Sequence, residues 1–212
     1  MHRRQFLASS ALGLAALRLS RFAYAGDAAS TPLALPEALK NNPLLDFSGL
    51  PKFSAFTPAD VAPAIDFLIA HNHEQVEKIA AIAAPDWDNF FVPLSDAADK
   101  LNRAWGIVVH LNNVKNSDAL REAHDAALAK ITDYSSWLGQ HEALYQGFVK
   151  LKEAAAFAAY TPAQQKAITD ALRDFRLSGI GLPADKQQTY RDVSKRLAEL
   201  SSQFEKNVLG AN

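Results

Sequence analysis

Two stretches of this 212-residue sequence carry residue types that could hold and use a metal. His141-Glu142-Ala143-Leu144-Tyr145 falls one residue short of H-E-x-x-H. In that helical signature two histidines one turn apart bind zinc, and the glutamate acts as general base toward a zinc-bound water. Tyr145 stands where the second histidine belongs, and tyrosine is a poor zinc ligand. His73-Glu74-Gln75-Val76-Glu77 is a second near-miss, H-E-x-x-E, whose Glu77 is at least a competent ligand. A catalytic zinc needs three protein ligands and an open position. No H-x-x-x-H pair occurs anywhere in the chain, and His71 and His73, two apart, point to different sides of a helix. Each stretch reads more simply as an ordinary helix face than as a metal site.

Other chemistry is equally sparse. Residues 179–184, GIGLPA, fit G-x-G-x-x-A, but a dinucleotide fingerprint must follow a strand and this one follows a helical pattern. The glycines read as a helix stop and a tight turn, with Pro183 opening the next helix. Asp96/Asp99 and Asp170/Asp174 have helical spacing but sit beside Lys100, Arg173 and Arg176, which points to solvated ion pairs. His110 and His124 adjoin apolar stripes and read as hydrogen-bonded structural residues. With no cysteine, disulfides, thiol catalysis and thiolate metal sites are all excluded. The sequence has neither G-x-S-x-G nor a Walker A motif. The residues themselves offer no catalytic, metal or cofactor-binding site.

The elements that must position these residues are helical. Thr57-Pro58-Ala59-Asp60 gives an N-cap, a first-turn proline and an acid at the positive end of the helix dipole. Ile65, Leu68, Ile69, Val76 and Ile79 continue as one apolar stripe. A second helix starts near Trp87 and carries Leu94, Ala98, Leu101, Trp105 and Val108. Asn112, Asn113, Asn116 and Ser117 mark a turn and the cap of a third, with Leu120, His124, Ala127, Ile131 and Leu138. After Gly139 comes a shorter helix with Leu144, Phe148 and Leu151. Thr161-Pro162-Ala163-Gln164 is a capping box for a fifth, with Ile168, Leu172 and Phe175 inward and Gly179 as its stop. In the last, Tyr190, Val193, Leu197, Leu200 and Phe204 repeat at 3-4-3-4, a narrow seam expected to bury itself on another helix. The fold class is therefore all-α, a bundle of about six helices over residues 57–212. An extended, Pro-rich linker segment over 26–56 precedes it. Residues 208–212 end the sequence with the helical pattern barely stopped, which reads as a chain cut short.

Residues 1–25 read as an export signal: a basic start, an apolar run from Phe6 to Leu17 and a small-residue end at Ala23 and Ala25. The run is shorter than the about 20 apolar residues a spanning helix needs. Arg3 and Arg4 followed by Phe6 and Leu7 fit the twin-arginine type. Cleavage before Gly26 would release a periplasmic product without stable membrane insertion. Loss of the four arginines of this segment would take the net charge from −1 to −5. A mildly acidic chain with scattered Lys and Arg has no electrostatic footprint for nucleic acid.

Several ordered stretches resemble one family. They are NPLLDFSGLPKFSAFTPADVAPAI from Asn42, HLNNVKNSDALREAHDAAL from His110, YSSWLGQHEALYQGF from Tyr134, ALRDFRLSGIGLP from Ala171 and RLAELSSQFEKNVL from Arg196. Together they are similar to the N-terminal region of oligopeptidase A-type enzymes, within the thimet-oligopeptidase family of zinc metallopeptidases. The resemblance implies a helical N-terminal domain that forms one wall of a channel admitting short peptides. It also implies that the zinc-binding H-E-x-x-H helix lies downstream, among residues this sequence does not contain. No catalytic or metal residue carries over, and this chain alone is expected to be inactive. Three functions follow: part of an exported zinc oligopeptidase whose catalytic half is separate, a free-standing peptide-binding or interaction module, or a non-functional remnant. The export signal departs from the cytoplasmic location of the family's oligopeptidase A.

Overall fold

A buried asparagine ties down the start of the described chain. Asn42 Nδ2 donates to the Asp60 carbonyl at 2.9 Å, and its Oδ1 accepts from Leu44 N at 3.0 Å. This pins a 3-10 turn, Pro43–Leu45, against the start of the first long helix and drives Leu44 and Leu45 into the core. The computed structural model describes residues 33–210, with side chains to Val208. The segment over 33–56 thus carries short turns, including Glu37–Leu39, and contributes to the same core as the helices.

Six α-helices follow: α1 Val61–Ala80, α2 Val92–Val114, α3 Asp118–Gly139, α4 Glu142–Glu153, α5 Pro162–Leu177 and α6 Ala184–Gly210. No strand occurs among the described residues. The start signals are those the sequence predicts at three places. The Thr57 N–H donates to Asp60 Oδ2 at 2.8 Å ahead of α1. Ser117 Oγ accepts from Leu120 N at the start of α3. Thr161 and Gln164 cap each other reciprocally at α5. Near Trp87 the helix opens with a π turn, Trp87–Phe91, capped by Asp86 and Asn89, and becomes regular only at Val92.

Helix α1 is the hub, packing on α2, α3 and α4, while α5 packs on α4. Its apolar stripe runs through two cores. The first gathers Ile65 and Leu68 with Leu101, Val108, Leu120 and Ile131. The second gathers Val76 and Ile79 with Phe90, Leu144, Phe148, Leu151, Ile168, Leu172 and Phe175. Trp137 and Leu138 of α3 pack against both. In α2 the buried line falls on Ala97, Leu101, Ala104, Val108 and Leu111, so Leu94, Ala98 and Trp105 lie at its half-buried margin. In the second core Gly147 has no alternative. A Cβ there would lie 2.3 Å from Phe90 Cζ, and that ring stands edge-on to Phe148.

The seam of α6 does not bury itself. Val193, Leu197, Leu200 and Phe204 are 60%, 62%, 49% and 59% exposed. The helix is docked on α3, but by its opposite side. Lys195 pairs with Asp133 at 3.1 Å, Ser202 Oγ donates to Asp125 at 2.7 Å, and Lys206 and Arg191 reach Asp125 and Gln140. Residues two apart on a helix turning 100° per residue lie some 200° apart. Lys195 facing α3 therefore turns Leu197 outward. The 3-4-3-4 spacing identifies a shared face, and the surface α3 offers on this side is polar. A cleft of about 220 Å³ runs along the contact, lined by Thr132, Ala198 and Ser202 among others.

Candidate functional site

The two near-misses to the zinc signature meet in space, and the meeting explains both. His141 lies just before α4. Its Nδ1 accepts the Leu144 N–H at 3.1 Å, so the imidazole is the N-cap of the helix. That acceptor role fixes the tautomer: the proton sits on Nε2, which donates to Glu77 Oε1 of α1 at 3.1 Å. Glu77, the would-be ligand of H-E-x-x-E, is thus the hydrogen-bond acceptor for the histidine of H-E-x-x-Y. Both ring nitrogens of His141 are committed. His73 lies against Trp137, ring centroids 3.9 Å apart, and meets Tyr134 edge-on at 5.3 Å. Burial pushes the His73 imidazole below its usual value, and nearby His141 acts the same way against the opposing pull of Glu77. A neutral ring between aromatics is a packing element. Tyr145 turns the other way, onto Phe175 at 5.7 Å, and Glu142 bonds Gln146.

The remaining candidates resolve as structure. Gly179, at φ +84°, terminates α5 in a Schellman arrangement: Ile180 N–H donates to Phe175 O and Gly179 N–H to Arg176 O. Residues 179–184 therefore follow a helix and open another. Asp170 pairs with Lys166 at 2.5 Å and Arg173 at 3.0 Å, and Asp174 pairs with Arg173 at 2.8 Å. These are exposed ion pairs worth little each. His110 meets Phe53 at the surface. His124 is buried, stacked on Trp105 at 4.9 Å, with Nδ1 3.2 Å from Asp125.

One constellation has no counterpart in the sequence reading. Asp125 receives Ser202 Oγ, Lys206 and the His124 ring together. Serine, histidine and aspartate are the types of a nucleophilic triad, but here the carboxylate lies between the other two. The imidazole makes no bond to the hydroxyl and cannot take its proton. Burial raises the Asp125 carboxyl, and the bonds from Lys206, Ser202 and His124 more than offset this, leaving it below its ordinary value. Its role is to hold α6 to α3. Asn72 was also unread: fully buried in α1, it donates to the Ala97 carbonyl at 3.2 Å. Close by, burial pushes the Tyr134 hydroxyl up to about 12.

Residues 65–187 match the neurolysin/thimet oligopeptidase N-terminal domain family. The chain belongs to that family. It is 48% identical over 171 residues to oligopeptidase A of Haemophilus influenzae, and 46% identical over 171 residues to that of Escherichia coli. Those alignments cover 81% and 80% of this chain and 25% of each relative. The organellar oligopeptidase A of Arabidopsis thaliana is 29% identical over 175 residues, 82% of this chain and 22% of the relative. The chain thus spans about a quarter of the length of the curated relatives it matches.

Membership in the oligopeptidase family places both near-misses inside a helical N-terminal domain. The zinc of the wider metallopeptidase family does not fit the residues found here: the His141 nitrogens are occupied, and no three His, Asp or Glu side chains among the described residues are arranged to hold a metal. The family match closes at residue 187, so almost all of α6 lies beyond it. No helix among the described residues is long and apolar enough to cross a membrane. The signal residues Arg3, Arg4, Phe6 and Leu7, and the cleavage residues Ala23, Ala25 and Gly26, lie outside the described residues.

Proposed function

We propose that this chain is the N-terminal, channel-wall domain of an exported oligopeptidase A-like zinc metalloendopeptidase acting on short peptides. Its zinc and H-E-x-x-H helix are supplied by residues that are not among these 212. The observation that carries the reading is 46–48% identity to oligopeptidase A over four-fifths of the chain, in a sequence with no H-E-x-x-H of its own. The outward seam of α6 supports it over a free-standing module, because a surface adapted to stand alone rarely exposes a row of large apolar side chains.

Hydrolysis of an internally quenched short peptide tests the assignment. The purified chain with added zinc leaves the peptide intact. A chimera in which residues 42–212 replace the matching quarter of Escherichia coli oligopeptidase A cleaves it. Chelator-sensitive cleavage by the chain alone overturns the proposal. Export is read by intact mass: the periplasmic product begins at Gly26, and Arg3→Lys with Arg4→Lys blocks its appearance there. A cytoplasmic product retaining residues 1–25 removes the export part.

A further inference from the structure

We infer that the outward face of α6 is a docking surface for an apolar helix carried by the remaining three-quarters of an oligopeptidase A-type chain. This rests on the reading of the chain as the N-terminal domain of such an enzyme. Three observations converge on that occupant. The inner side of α6 is already engaged with α3 through Lys195, Ser202 and Lys206, so the exposed Val193, Leu197, Leu200 and Phe204 form a second, separate face. Their 3-4-3-4 spacing, continued from Tyr190, has the form that accepts one helix along its length. Helix α6 runs from Ala184 to Gly210 and so leaves the family domain, matched over 65–187, at the point where the relatives have most of their length still to come.

A second copy of this chain is the rival occupant, and the charges disfavour it. Helices that choose their own kind carry rows of complementary charge beside the apolar seam. Here the flanking positions are Thr189, Arg196 and Gln203 on one side and Ser194 and Ser201 on the other. The single charge, Arg196, is paired with Glu199 of its own helix at 3.1 Å. The seam therefore offers apolar area without the code for self-pairing, which suits a partner fixed by chain connectivity or by the rest of a large interface.

The test substitutes Leu197→Gln, Leu200→Gln and Phe204→Gln together, because glutamine keeps helix propensity close to that of leucine. In the isolated full chain the triple leaves Tm nearly unchanged, as expected of exposed positions. In the full-length chimera with Escherichia coli oligopeptidase A the same triple lowers Tm by several degrees. Sedimentation shows the unsubstituted isolated chain without a stable two-fold dimer. A dimer dissolved by the triple would place a second copy on the seam and overturn the inference. So would a chimera that fails to fold, or one whose Tm ignores the triple. Peptide cleavage by the chimera is scored apart from these. Loss of cleavage with the Tm contrast intact sinks the peptidase reading and leaves the docking surface standing, and cleavage without the contrast does the reverse.

Discussion

Helices α5 and α6 are written in the same language and end in opposite places. In α5 Ile168, Leu172 and Phe175 are spaced by four and three and lie 0%, 4% and 7% exposed in the second core. In α6 Val193, Leu197, Leu200 and Phe204 are spaced by four, three and four and stand about half exposed. Periodicity reports that side chains share a face. Whether that face is covered depends on which other element lies opposite it. For α5 the partner is α4, two elements earlier than its own successor in the chain; for α6 the neighbour α3 presents Asp125, Asp133 and Gln140 and draws the polar side.

The largest expected effect separates the two helices directly. Leu172→Ala leaves a cavity beside Phe175 and costs about 2–5 kcal/mol, whereas Leu197→Ala stays within about 0.5 kcal/mol. Urea denaturation of the two variants checks this, and equal losses would mean that the seam is covered in the isolated chain. A smaller effect concerns how the helices are held. The Asp125 carboxyl is below its ordinary value of 3.8, so the stability it lends is whole above that pH and is lost as pH falls through its lowered folded value. Hydrogen exchange in acid therefore releases α6 amides before those of α5, whose docking is apolar. Asp125→Asn removes that order, and simultaneous release in the unsubstituted chain would show that α6 is not held by this carboxylate.

The smallest effect lies between the cores. His73 is depressed below 6.5 by burial, facing Glu77, His141, Tyr134 and Trp137. Its contribution is full above 6.5 and declines as pH drops through the lowered folded value. Urea midpoints at roughly pH 7.5 and pH 5 fall slightly in that direction, and His73→Gln flattens the difference. A midpoint that rises on acidification would reverse the assignment.

The helical class, the six helices and most caps were legible because Thr57, Ser117, Thr161 and Gly179 are local signals that the structure uses locally. The start at Asp86 was less so, since its reciprocal partner is Asn89 where a capping box is usually read from Glu or Gln. His141 was misleading in an informative way. As a motif it asks for zinc, yet its ring caps α4 and bonds Glu77 of α1, 64 positions away, a partner no local pattern encodes. The Asp125 cluster and the buried Asn72 were invisible for the same reason: each joins groups from separate helices. The seam of α6 was visible as a face and unreadable as a direction.

Trp137 and Leu138, sitting at the boundary of both cores, couple the two halves mechanically. Neither core can melt without stripping contacts from the same two side chains, so damage at one end of α1 is felt at the other. The domain should respond to stress as a single cooperative block, with Trp137 as a built-in optical gauge of that event. Such a block is a stiff wall, able to keep its shape while whatever rests on α6 comes and goes.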